Sequence, residues 1–151
     1  MKLVKQGKGS WQYQLNPIEA DLLNSLLHQF PFTRNMPAEI TRTDKDPKVA
    51  EREKLLNESL AEHRKELQKQ ARELLIKKSK SRVQSPRLIL NAEQRETLLQ
   101  ILNDIRIGCW VALGKPESME PENLNQTAQE LAQHHLMNLA GYFEHHLIEQ
   151  E

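Results

Sequence analysis

Residues 91–114, NAEQRETLLQILNDIRIGCWVALG, decide how this chain folds. Asn91 followed three residues later by Gln94 is the pattern of a helix N-cap with its capping-box partner, and Gly114 with Pro116 beyond it marks the stop. At about 100° per residue, Leu98, Ile101, Leu102, Ile105, Cys109, Ala112 and Leu113 fall on one broad face, widened at its edge by Leu99 and Trp110. A helix this apolar has to be covered on more than one side. The expectation is therefore a core helix around which the rest of the chain packs.

Upstream of it, Asp46-Pro47 opens a second helical stretch, and no Gly or Pro interrupts residues 48–78. Val49, Leu56, Leu60, Leu67 and Leu74 form a thin apolar stripe among charged residues, so a helix over 47–79 is expected to rest by one edge on a bundle. The stripe also leaves room for a homodimer through residues 49–75, because Leu60, Leu67 and Leu74 repeat every seven residues. The tail Lys77-Lys78-Ser79-Lys80-Ser81-Arg82 has no apolar period and leads to Ser85-Pro86, which reads as a solvated linker. Residues 31–46 hold two prolines and no sustained period; they are expected to form a connector docked by Phe32, Met36 and Ile40.

Nearer the start, Asn16-Pro17-Ile18-Glu19 combines an N-cap, a proline at the first helical position and a Glu placed to reach back. Leu22, Leu23, Leu26, Leu27 and Phe30 follow at helical spacing, and Pro31 ends a helix expected over 16–30. Residues 2–15 alternate around Gly7-Lys8-Gly9, giving a short β-hairpin whose Trp11, Tyr13 and Leu15 must lie on the helical core. Downstream, a polar connector leads to a last helix over 124–147, with an apolar arc that includes Leu131, Leu136, Leu139, Phe143 and Leu147. The fold class expected is mainly α: one domain over 1–151, about four helices packed around 91–114, with the N-terminal hairpin attached.

Composition sets limits on function. Twenty-one basic and 21 acidic residues leave a formal charge of zero, so the whole chain has no electrostatic reason to seek nucleic acid or anionic lipid. The distribution is uneven. Residues 63–87 hold nine cations and two anions, whereas 116–151 hold seven Glu and no Lys or Arg. The two blocks are expected to neutralise each other in the fold. One Cys excludes an internal disulfide framework, the first residues lack the apolar run of a signal peptide, and no apolar stretch is long enough to span a bilayer, so the expected location is cytoplasmic with no membrane contact.

The residues that carry chemistry give little to work with. His134 and His145, like His135 and His146, share a helical face but lie about 16 Å apart along the axis, too far to hold one ion. Glu130 with His134 is the one usable local pair, and it lacks a third ligand nearby. The wheel places His135 and His146 inside the apolar arc. Cys109, in the middle of an apolar face, is expected to be an inert small hydrophobe. No phosphate loop, nucleophile elbow or paired-Cys spacing occurs, and no catalytic residue, metal ligand or cofactor is assigned.

Two groups remain as partner-binding candidates. Arg106 falls within the apolar arc with Asn103 on its margin, and a cation directed into a packed boundary must find a carboxylate or carbonyl. Glu19, Asp21 or a Glu of the last helix is the expected internal partner, with recognition of a binding partner as the alternative role. The basic residues Lys77, Lys78, Lys80 and Arg82 are the other group, suited to an acidic surface; nucleic acid is disfavoured because no aromatic side chain interleaves them.

The order of pieces resembles an uncharacterised bacterial family of small helical proteins. The resemblance rests on Glu19-Ala20-Asp21-Leu22-Leu23, on Leu102-Asn103-Asp104-Ile105-Arg106-Ile107-Gly108 closed by Val111-Ala112-Leu113-Gly114, and more weakly on Tyr142-Phe143. In that family the genes often lie beside the one for the adaptor that hands N-degron substrates to the Clp protease. The resemblance implies an association with regulated proteolysis and a protein partner such as Clp protease or its adaptor, and no catalytic residue. The expected function is that of a non-enzymatic, protein-binding cytoplasmic protein. The alternative is a nucleic-acid-associated protein using the basic segment 63–87, and a metal-dependent hydrolase built on the C-terminal histidines is disfavoured by their spacing.

Overall fold

The computed structural model describes residues 1–31, 47–76, 85–114, 116–117 and 127–149. Among them the chain is mainly helical, with a small antiparallel sheet, in the order β1 (Lys2–Gly7), β2 (Ser10–Gln14), α1 (Pro17–Gln29), α2 (Pro47–Glu73), β3 (Arg87–Asn91), α3 (Ala92–Ala112) and α4 (Ala128–Glu149).

Local chemistry sets two of the helix starts. The Glu19 backbone N–H donates to Asn16 Oδ1 at 2.7 Å, and the Asn16 N–H donates to Glu19 Oε1 at 3.0 Å. Asn91 and Gln94 repeat this box at the start of α3, again at 2.7 and 3.0 Å. Each box satisfies two backbone groups that a helix start would otherwise leave bare. At the other end of α3, Gly114 takes φ +84°, a conformation glycine adopts without cost, and its N–H donates to Val111 O at 3.0 Å. The Trp110 indole donates to Pro116 O at 3.0 Å and holds the chain that follows.

The hairpin is present, and it is part of a larger sheet. Gly7 pairs with Ser10, so the loop is two residues long, and Lys8 and Gly9 both have positive φ, the sign of a type I′ turn. Val4 is bulged between paired Leu3 and Lys5. The third strand, β3, lies antiparallel to β2, with Trp11 opposite Leu90 and Tyr13 opposite Leu88. The solvated linker expected to run through Ser85-Pro86 leads directly into this strand, which the sequence reading does not contain and of which Arg87 is the first residue. Leu88 and Leu90 point inward between exposed Arg87, Ile89 and Asn91, a two-residue period that the adjoining helix cap masks in the sequence. Two strands alone bury too little to be stable, and β3 supplies the missing neighbour.

Against the inner face of the sheet lie the helices. Tyr13, Leu15, Leu23, Leu26, Phe30, Leu90, Leu98, Ile101, Leu102, Ile105, Phe143 and Leu147 are the largest fully buried side chains. Helix α3 runs along α4, and the Arg95 guanidinium joins them by donating to Leu147 O while it stacks 5.1 Å from the Trp11 ring. Of the arc expected on α3, Ala112 is exposed and Leu113 half-buried, so its buried face ends at Cys109.

Helix α2 is shorter than the expected 47–79. Its last helical residue is Glu73, and tertiary contact sets that stop: the Asn24 side chain of α1 donates to Ile76 O at 2.9 Å and accepts from Ile76 N–H at 2.8 Å, holding 74–76 as a turn against α1. Only Leu67 and Ala71 of this helix are buried, with Leu74 just beyond it, and Thr97 Oγ1 ties the same end to α3 through Gln70 Oε1 at 3.2 Å. Helix α4 is described from Ala128; residues 124–126 of the expected span lie outside the described residues, as do 32–46.

Candidate partner-binding groove

Helices α1 and α4 run antiparallel and are joined at one end. The first turn of α1 presents Glu19, whose Oε2 accepts from the Tyr142 hydroxyl of α4 at 2.7 Å and from the amino group of Met1, itself 3.1 Å from the Tyr142 hydroxyl. Burial alone would raise the Glu19 carboxyl, but these bonds and the Asn16 N–H outweigh it and bring the pKa down to about 2. The Tyr142 hydroxyl, bonded to Glu19 and partly buried, is pushed up to about 12.

Away from that latch, toward the C-terminal end of α1 and the N-terminal end of α4, the helices leave an open groove of about 810 Å³. Its α1 wall is Leu22, Ser25, Leu26 and Gln29, a single i, i+3, i+4, i+7 face. Its α4 wall is Ala128, Leu131, Ala132, His135, Leu136 and Leu139. Leu131 is 49% exposed and Leu22 38% exposed, so the arcs of both helices are wider than their intramolecular contacts use. Ile18 and Tyr142, also exposed, continue the two faces toward the latch. Few of these groups are polar, and the groove suits binding of an apolar surface better than chemistry.

The residues singled out from the sequence lie elsewhere. Arg106 is not inside the apolar arc: its side chain is 46% exposed and donates from Nη1 to Glu144 Oε2 at 2.7 Å. This is the internal ion pair with a Glu of the last helix. Glu144 is the buried partner at 8% exposure, and its Oε1 has no hydrogen-bond partner among the described residues. Asn103 is exposed on α3. At about 100° per residue, Glu144 projects from the side of α4 roughly half a turn from the groove, so Arg106 does not reach it. Lys77, Lys78, Lys80 and Arg82 lie outside the described residues. Among the described residues Arg64, Lys65, Lys69, Arg72 and Arg87 make no ion pair with Glu130, Glu144 or Glu149; further members of the two blocks expected to neutralise each other, Lys77, Lys78, Lys80 and Arg82 with Glu120, Glu122 and Glu151, lie outside the described residues.

The histidines keep the faces the wheel gives them, and their burial follows what covers each face. His135, placed in the apolar arc, is exposed and lines the groove, and His134 is half-buried. His145 Nε2 meets Glu149 Oε2 at 3.0 Å, and the half-buried His146 ring packs 4.5 Å from Tyr142 and 5.7 Å from His145. Burial, followed by the positive Met1 amino group and His145, lowers the His146 pKa. Among the described residues no group of three or more His, Cys, Asp or Glu is arranged to hold a metal ion. Cys109 is fully buried, and burial pushes its thiol up to about 11, which removes the thiolate a nucleophile needs.

The groove residues were in view in the sequence as core positions. What marks them out is surplus: Leu22, Leu23, Leu26, Leu27 and Phe30 cover about 140° of α1, more than one packed neighbour requires. Among the described residues no helix is long and apolar enough to cross a membrane. Comparison of the chain with protein-family models, with curated proteins and with solved structures finds no match in any of the three.

Proposed function

We propose that this chain is a non-catalytic protein-binding module that takes part of a partner into the α1–α4 groove. The single observation that carries the reading is the groove itself: two apolar helix faces, each with an exposed leucine, aligned over about three turns and left uncovered by the described residues. In this reading α3 is the central support that fixes α4 at the distance the groove requires. The family resemblance carried by Leu102-Asn103-Asp104-Ile105-Arg106 adds a partner within Clp-dependent proteolysis, either the protease or its adaptor, and the composition adds the expectation of a cytoplasmic setting. Arg106 then serves the site indirectly, by pinning α3 to α4 through Glu144.

The test is affinity capture of the tagged chain with nuclease treatment, using wild type and Leu131→Asp as parallel baits. Recovery of a Clp subunit or adaptor by wild type and its loss with Leu131→Asp is the expected result. Complexes that nuclease removes and that Leu131→Asp leaves intact would overturn the reading in favour of the basic segment 63–87 and nucleic acid.

A further inference from the structure

β3 is an outer strand of the sheet, paired along one edge by β2. The Leu15 N–H donates to Pro86 O at 2.9 Å, and the register sets Tyr13 on Leu88 and Trp11 on Leu90, so the main-chain groups of Pro86, Leu88 and Leu90 face β2. The N–H and C=O groups of Arg87 and Ile89 therefore face the opposite way. The next outward N–H, that of Asn91, is taken by Gln94 Oε1. β1, the outer strand on the far side, is blunted by the bulge at Val4 and by exposed Lys2 and Lys5. β3 pairs without a bulge and carries Ile89, 60% exposed, between two leucines.

The open edge borders a cleft. A cavity of about 310 Å³ separates Arg87, Leu88 and Ile89 from Leu74, Leu75 and Ile76. A second cavity of about 200 Å³ adjoins it, since Glu73, Leu74 and Gln94 line both, and it continues past Asn91 to Glu93 and Thr97. Charge changes along this cleft. Glu73 and Glu93 line its Asn91 end with no Lys or Arg beside them, and Arg87 stands at the other end. None of these three has an ion-pair partner among the described residues.

We propose that the outer edge of β3 receives an extended segment of a partner protein as a fourth, antiparallel strand. Open N–H and C=O groups two residues apart fit an extended main chain and no helix, which settles the shape of the occupant. Facing pairs at Ile89 and Arg87 supply about four main-chain hydrogen bonds. Residues of the segment opposite Leu88 and Leu90 turn toward Leu74, Leu75 and Ile76 and are apolar; the one opposite Arg87 is a carboxylate, and the one opposite Asn91, earlier in the segment, is a cation drawn to Glu73 and Glu93. This site is separate from the α1–α4 groove and goes beyond it, because it reads a partner's main chain rather than an apolar helix face.

The experiment uses the full chain and the blocked peptide acetyl-Lys-Val-Thr-Val-Glu-amide, followed by NMR amide exchange. In the free protein the Arg87 and Ile89 amides are expected to exchange far faster than those of Leu88 and Leu90, and saturating peptide should slow them at least about tenfold. The charge-reversed peptide, with Glu first and Lys last, should bind at least about fivefold more weakly, a gap that closes as salt rises. Methylating the Thr amide nitrogen, which faces β3 in this register, should abolish binding, whereas methylating that of the second Val, which faces away, should not. Ile89→Pro should also abolish binding with an unchanged urea midpoint, since that N–H makes no bond to β2; if the variant unfolds, the two methylated peptides decide. Arg87 and Ile89 amides already as slow as their neighbours in the free protein would overturn the proposal by showing the edge covered, by a second copy if light scattering gives a dimer and by the chain itself if it gives a monomer. Failure of the peptide to slow these amides, equal binding of the two charge orders, or indifference to Thr methylation would overturn it as well. Leu131→Asp should leave peptide binding intact, so this proposal and the groove reading stand or fall separately.

Discussion

Lys8 occupies the first position of the hairpin turn with φ 42°, where a side chain with a β-carbon crowds its own carbonyl. Asn tolerates that conformation better, so Lys8→Asn is expected to stabilise the protein by about 0.5–1 kcal/mol, read as a rise in the urea midpoint. A fall in the midpoint would show that the lysine makes a compensating contact. The latch residues titrate in opposite directions. Glu19 binds fewer protons when folded, since its pKa drops from 4.5 to about 2, so its contribution is present above pH 4.5 and is lost as pH falls toward 2. Tyr142 keeps its proton more firmly when folded, so its contribution is complete below pH 10 and is lost as pH rises toward 12. Tyr142→Phe should cost about 0.5–1.5 kcal/mol at neutral pH and remove the part of the alkaline loss that falls between pH 10 and 12, leaving the part due to the buried Cys109 thiol, as urea titrations at several pH values would record.

At the scale of the element, the contact between α3 and α4 rests on Leu98, Ile105, Ala140 and Leu147 in the core and on one ion pair at its edge. Glu144 is the member buried from water, so the two truncations are not equivalent. Arg106→Met leaves a buried carboxylate without its cation and is expected to cost about 1–3 kcal/mol. Arg106→Met combined with Glu144→Leu removes charge and cation together and should recover most of that loss. Denaturant melts of the two singles and the double form a cycle; strictly additive costs would mean the pair contributes no coupling. The same logic explains why α2 stops at Glu73. Nothing between 74 and 78 breaks a helix, but the two bonds from Asn24 to Ile76 satisfy that residue's N–H and C=O outside the helix.

Across the whole molecule, apolar residues of similar type do two different jobs. Leu102 is fully buried, and Leu102→Ala should cost about 2–5 kcal/mol because it leaves a cavity the core cannot close. Leu131 is 49% exposed on α4, and Leu131→Asp should change stability by no more than about 0.5 kcal/mol. Thermal or urea unfolding of the pair separates the core from the groove. A large loss with Leu131→Asp would make that leucine part of the packing and withdraw it from the binding surface.

The sequence alone determined those features whose physics is local. The capping boxes at Asn16 and Asn91, the stop at Gly114, the hairpin turn at Lys8-Gly9 and the inward side of Trp11, Tyr13 and Leu15 each depend on residues within a few positions of one another, and they read correctly. The histidine spacing was legible too, because helix rise fixes it. Tertiary structure decided what depends on distant neighbours. It made Arg87–Asn91 a strand by offering β2 as a partner, ended α2 through Asn24, turned Arg106 outward onto Glu144, and left Leu22 and Leu131 exposed between α1 and α4. A helical wheel reports which residues share a face; whether that face meets another helix or solvent is set by the length and direction of every other element.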